Sequence, residues 1–157
     1  MKHFFTLCLL VPCFAIAFPL VPAPDQTPGH RCDPSNPDFT EYRYEEKIPY
    51  CQRRVTTATK NKIYEKYKIP VAERKNYTID HFIPLALGGS NAVQNLWPEN
   101  KKIKALRPKL EMDLYIMISK GEITQLAAIT IIEEAKLDPC HYTGLDAEPH
   151  GSDACDW

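Results

Sequence analysis

No C-x-x-C pair occurs anywhere in the chain, so the cysteines do not come at the spacing of a zinc ribbon. Beyond residue 17 no stretch approaches the roughly 20 apolar residues that a membrane crossing needs, so the remainder is expected to be soluble. Net charge is missing too: 19 Lys and Arg against 20 Asp and Glu leave −1, a total that says nothing about partners. No internal repeats are visible, so a solenoid or propeller is not the architecture to expect.

What is present is unevenly distributed. Residues 1–17 carry Lys2 ahead of an apolar run that ends in Ala15-Ile16-Ala17, the small residues that signal peptidase reads, and cleavage is expected after Ala17. Removing that leader leaves about 140 residues, one domain's worth, able to bury roughly two-thirds of the surface of the unfolded chain. It also leaves four cysteines, Cys32, Cys51, Cys140 and Cys155, an even number in an exported chain, and hence two disulfides. Three connectivities are open; pairing Cys32 with Cys51 and Cys140 with Cys155 would staple each end of the domain.

Charge is segregated as well. Residues 18–40 sum to −2, 41–110 to +8 and 111–157 to −8, so the positive charge gathers in the middle, as a polyanion-binding face requires. Five prolines over 18–36 read as an extended arm, ordered mainly where Cys32 ties it down. Phe39 to Cys51 interleaves Phe39, Tyr42, Tyr44 and Tyr50 with Arg43 and Lys47, and Arg53-Arg54 follow; such a mixture stacks bases and holds phosphates, or simply packs. Helices are expected over Thr57 to Tyr67, Lys101 to Leu106, from Lys109 to a stop at Gly121, and from Thr124 to a close before Pro139.

The chain turns on Tyr77 to Asn100, YTIDHFIPLALGGSNAVQNLWPEN. A short apolar run ends in Asp80-His81, a Pro- and Gly-Gly-containing loop follows, and Leu96-Trp97 form a second apolar pair before Pro98, where a helix could begin. The segment resembles the HNH, or ββα-metal, endonucleases of the secreted bacterial type, whose signature runs D-H-x-x-P-L-x-L-G-G-x-N-x-x-x-N-L-x-P. Asp80, His81, Pro84, Leu85, Leu87, Gly88, Gly89, Asn91, Asn95, Leu96 and Pro98 fill its fixed positions. A weaker likeness continues through Leu110-Glu111, Leu114, Gly121 and Ile123 to about Ala127.

The resemblance implies a single α+β domain over 37–138, a small ββα-metal core flanked by α-helices, stapled by disulfides, with an acidic tail over 139–157. It implies a secreted or periplasmic, metal-dependent endonuclease. Phosphodiester cleavage needs an activated water, positive charge for the developing oxyanions and stabilisation of the leaving oxygen. Histidine suits a base near neutral pH, so His81 takes that role. Asp80 is the carboxylate for a hard cation, most simply Mg2+, which prefers oxygen ligands and keeps several waters.

In zinc-ribbon members the second ligand lies about nine residues past the loop asparagine, which here is Lys104, a cation that cannot ligate magnesium. Asn100 is therefore the expected ligand, with Glu99 as the alternative, and Asn95 is expected to pin the loop so that His81 keeps its orientation. Lys101, Lys102, Lys104, Arg107, Arg53 and Arg54 are the candidate contacts to nucleic acid, DNA before RNA. No groove-reading module accompanies the core, so sequence preference should be low. The rival expectation is an exported protein that keeps this scaffold, binds nucleic acid or a protein through its basic face, and does not cut. An effector delivered to competing cells would share the chemistry and travel with an immunity or inhibitor protein.

Overall fold

The computed structural model describes residues 20–142 together with Leu145 and Cys155; the expected leader and most of the expected acidic tail lie outside the described residues. In chain order come β1 (Phe39–Arg43), β2 (Ile48–Cys51), α1 (Thr57–Lys66), β3 (Tyr77–His81), β4 (Leu96–Asn100), α2 (Lys101–Lys104), α3 (Leu110–Ser119) and α4 (Gln125–Leu137). The fold is α+β, with two separate two-stranded antiparallel sheets, β1-β2 and β3-β4.

The central hairpin follows from alternation. Tyr77 and Ile79 are buried and pack with Ile63 of α1, with Tyr67 at its C-terminal end and with Leu96 and Trp97, while Thr78 and Asp80 fall on the opposite face of the strand. Each large apolar side chain removed from water here contributes about 1.5–3 kcal/mol. Register runs from Tyr77 opposite Asn100 to His81 opposite Leu96. Pro98 does not open a helix as the sequence suggested. It lies within β4 opposite Ile79, tolerated because an edge strand has N–H groups that no ladder uses. The helix starts at Lys101 instead, where the Asn100 side chain accepts from the Lys102 amide at 2.9 Å.

Helices α3 and α4 form a second layer with Leu110, Leu114, Ile118, Ala128, Ile129 and Ile132 in its core, joined there by Ile48 of β2 and by Ile83 and Leu87 of the loop between β3 and β4. Thr56 and Thr124 cap α1 and α4 by accepting from the amides of Thr59 and Ala127. Gly121, at φ +69°, takes the left-handed turn that ends α3. The central loop therefore bridges the two layers.

The proline-rich arm is held along its length rather than at Cys32 alone. The buried Thr27 hydroxyl is bonded to the Tyr67 hydroxyl at 2.7 Å and donates to the Leu96 carbonyl at 3.1 Å. The amides of Gly29 and Cys32 donate to the carbonyls of Gln94 and Gly88. Both disulfides are local, Cys32–Cys51 and Cys140–Cys155, each with Cα atoms 5.7 Å apart. The first ties the arm to β2. No helix among the described residues is long and apolar enough to cross a membrane.

Candidate functional site

The loop over 82–95 presents Asp80 and His81 because its backbone is fixed from within. Asn95, fully buried, accepts from the Ile83 amide and donates to the Ile83 carbonyl, both at 2.9 Å, and donates to the Ser90 carbonyl at 2.9 Å. One side chain thus satisfies backbone groups on both limbs of the loop. Gly88 turns at φ +85°, and a Cβ on Gly89 would sit 1.8 Å from the Ile83 carbonyl oxygen, so only glycine allows the limbs to close.

His81 Nε2 lies 3.0 Å from Asn91 Oδ1. The Asn91 amide nitrogen meanwhile donates to Asp38 Oδ2 and to the Gln52 carbonyl, both at 2.8 Å. Two acceptors fix which end of the Asn91 amide is nitrogen, so its oxygen faces the imidazole and Nε2 must carry the proton. In the neutral ring Nδ1 is then the basic nitrogen. Burial pushes the His81 imidazole below its ordinary value, with Arg53 and Lys136 acting in the same sense against the Asn91 bond and Asp80. The ring is therefore neutral at neutral pH. Asp38 is itself met by Arg54 at 3.2 Å, a supporting contact that leaves the Arg54 side chain 59% exposed.

Asp80 meets two ammonium groups. Lys104 Nζ lies 2.9 Å from Oδ1 and Lys136 Nζ 3.1 Å from Oδ2. Burial alone raises the Asp80 carboxyl, but Lys136 and Lys104 outweigh it and hold it well below the usual carboxylate range. The contacts continue: Lys104 to Glu99 at 3.4 Å, Glu99 to Arg107, Arg107 to Glu111 at 3.8 Å, and Glu111 to Lys136 at 3.2 Å. Six residues form a closed ring of alternating sign. Lys136 also donates to the His81 carbonyl at 2.6 Å, linking the ring to the candidate base.

A cleft of about 270 Å³ opens over this pair, lined among others by Arg43, Tyr50, Arg53, Asp80, His81 and Glu111. The Arg43 guanidinium lies 3.2 Å from the centre of the Tyr50 ring, and Arg53 donates to the Ile79 carbonyl at 3.2 Å. An imidazole base, two guanidinium groups and a carboxylate already neutralised by ammonium make a site suited to an anion and a water. A larger hollow of about 380 Å³, lined by Lys109, Asp113, Ile116, Met117 and Leu145, offers no imidazole among the described residues.

Of the expected site residues, Asp80, His81, Asn95, Lys104 and Arg53 come together. Asn100 does not. It stands opposite Tyr77, three register steps from the Trp97 that faces Asp80, about 10 Å along the strand, and its oxygen caps α2. Glu99, the alternative, does reach the cluster, but as a fully buried partner of Lys104 and Arg107. Arg107 is 1% exposed at its side chain, so it serves the ring and cannot meet a phosphate in solvent. Lys101 and Lys102 are exposed on α2, beyond the far end of β4 from His81, and Lys101 donates to the Lys75 carbonyl at 2.7 Å.

A magnesium site at Asp80 and Asn100 does not fit this donor set. Both Asp80 oxygens face ammonium groups and Asn100 is elsewhere; among the described residues no group of three or more His, Cys, Asp and Glu side chains is placed to hold a metal ion. Sequence reasoning missed Lys136, Glu111 and the Asp38–Asn91 support of His81. One signal was available: Lys136 lies four residues after Ile132 and eight after Ala128, a lysine on the buried stripe of α4. Compared with known proteins, the chain matches no family model, no curated protein and no solved structure.

Proposed function

We propose that β3, its loop, β4 and α2 are the ββα unit of an HNH-type nuclease, and that the chain is an exported endonuclease hydrolysing nucleic-acid phosphodiesters with low sequence preference. The observation that carries this is His81: a buried neutral imidazole, its Nε2–H committed to Asn91, at the wall of a cleft that also holds Arg43 and Arg53. His81 takes a proton from water at Nδ1 as the water oxygen attacks phosphorus, and the two guanidinium groups stabilise the charge gathering on the phosphoryl oxygens. Tyr50, held against Arg43, offers a ring face for a base. Two local disulfides suit an oxidising compartment outside the cytosol.

The test is digestion of plasmid DNA and of a long RNA by the oxidised protein lacking residues 1–17, beside His81→Ala. Loss of a positioned base should cost about 10²–10⁴-fold in rate. The rate should fall on the acid side as His81 gains its proton, at a midpoint below the ordinary histidine value, because its lowered pKa keeps it neutral further into acid. The closed ion ring favours a second reading, a scaffold that binds nucleic acid without cutting it. Equal failure of wild type and His81→Ala to cut, with binding retained, would establish that one instead.

A further inference from the structure

The ring around Asp80 does more than mark a poor magnesium site. Lys136 has no exposed side-chain surface, and its ammonium touches Asp80 Oδ2, Glu111 Oε1 and the His81 carbonyl. A divalent cation taking Asp80 Oδ2, or both carboxylate oxygens together, would have to expel it. The ammonium would then be buried without its Asp80 partner, keeping only Glu111 and the His81 carbonyl, and losing a buried partner costs several kcal/mol. Lys104 is different: 41% exposed at its side chain, it holds Oδ1 from the solvent side and can swing away without being stranded. The buried lysine is thus the permanent occupant and the exposed one the exchangeable cover.

Three carboxylates, Asp80, Glu99 and Glu111, are linked through Lys104, Arg107 and Lys136. The three are held apart by those cations and, among the described residues, do not converge on a common metal position; each carboxylate is neutralised by ammonium or guanidinium instead. We infer that Lys136 and Lys104 occupy the position a divalent cation would take, so that the Asp80 site excludes such cations and cleavage at this site proceeds without one. This rests on the proposed nuclease reading only for its second half; exclusion of the cation stands on the ring alone. In the reaction the water oxygen forms the new bond to phosphorus, its proton passes to His81, and the bond from phosphorus to the 3′ oxygen breaks with its electron pair on oxygen. The leaving oxygen takes a proton from solvent, and the proton held by His81 returns to solvent. Lys136 is a positioning residue that keeps Asp80 and the His81 backbone in place.

Two readouts separate the halves. Manganese is titrated into the oxidised protein and followed by paramagnetic broadening of the Asp80 and His81 amide signals, for wild type, Lys136→Met and Lys104→Met. Wild type should show no selective broadening up to about 1 mM manganese, the weak end of protein calcium affinities, whereas Lys136→Met should gain it. Because Lys136→Met can fail to fold, Lys104→Met, altered at an exposed position, is the second variant and should gain a weaker site. Selective broadening in wild type would overturn the inference whatever the activity. Nucleic-acid cleavage is then measured in EDTA and in magnesium. Cleavage that persists in EDTA and is lost in His81→Ala supports the inference. Cleavage abolished by EDTA overturns it while leaving the nuclease reading intact. Absence of cleavage in both conditions removes the nuclease reading and with it the claim about the reaction, and the manganese titration still decides whether the site excludes cations.

Discussion

Replacing Lys136 with methionine tests the ring where it is most deeply buried. The substitution keeps the length of the side chain and removes an ammonium that has no exposed surface and contacts Asp80 at 3.1 Å, Glu111 at 3.2 Å and the His81 carbonyl at 2.6 Å. Breaking a buried ion pair by removing one partner costs about 3–5 kcal/mol, because the other charge is left uncompensated. Lys104 remains on Asp80 and Arg107 on Glu111, so the low end, about 3 kcal/mol, is expected. In urea, at a slope of about 1–3 kcal/mol per molar, the unfolding midpoint should fall by about 1–3 M at pH 7.

The pH dependence supplies a second check. The folded-state pKa of Asp80 lies below its unfolded value, so its contribution is present above about pH 4 and is lost as pH falls through the folded value. Methionine removes the largest single attraction that lowers the Asp80 carboxyl, the Lys136 charge, which raises the folded value and shrinks that contribution. The gap between wild type and variant should therefore be widest above about pH 4 and narrow below it. A midpoint within about 0.3 M of wild type at pH 7, or a gap that widens on acidification, would refute the account of Lys136 as a paired buried charge. Lys104→Met, at a partly exposed pair, should cost no more than about 1 kcal/mol.

Asn91→Leu should lower kcat by about 10–100-fold with KM little changed, and should move the acid limb of the rate profile to lower pH, because the lost bond favours the charged imidazole. A drop in kcat without that shift would mean that Asn91 acts only on the loop. Cys32→Ser with Cys51→Ser opens a loop of sequence separation 19 and should cost about 3 kcal/mol, read as a fall in melting temperature. Gly89→Ala places a methyl group against the Ile83 carbonyl and should destabilise by more than about 3 kcal/mol, measured by urea unfolding; a variant of wild-type stability would show that the loop can open.

Much of the hairpin was legible. The alternation of Tyr77, Ile79 and Asp80, the glycine pair, the cap threonines and the chain-reversing Gly121 are constraints settled within a few residues, and the elements formed close to their expected bounds. Pro98 was not legible in the same way, because a proline can open a helix or sit on an edge strand, and the choice depends on pairing with Ile79. The order of the arm is hidden from the sequence for a related reason. Its order comes from hydrogen bonds to Tyr67, Gly88, Gln94 and Leu96, none of them near it in sequence.

The sequence by itself determined the strand, loop and strand that bring Asp80 and His81 to one place, because short-range backbone geometry and the spacing of Asn95 from Ile83 are written locally. It also placed the cysteines so that each disulfide closes a short span. Only the tertiary structure decided what surrounds Asp80. Lys136 is 56 residues away in the chain and arrives because α4 packs its apolar stripe against α3 and the central loop. Asn100 and Glu99 are neighbours in sequence, yet alternation along β4 sends one to cap a helix and the other into the ion ring. Charge pairing at such separations follows from helix packing and burial, so a string of residues that names a carboxylate and a base does not say which cation will neutralise them.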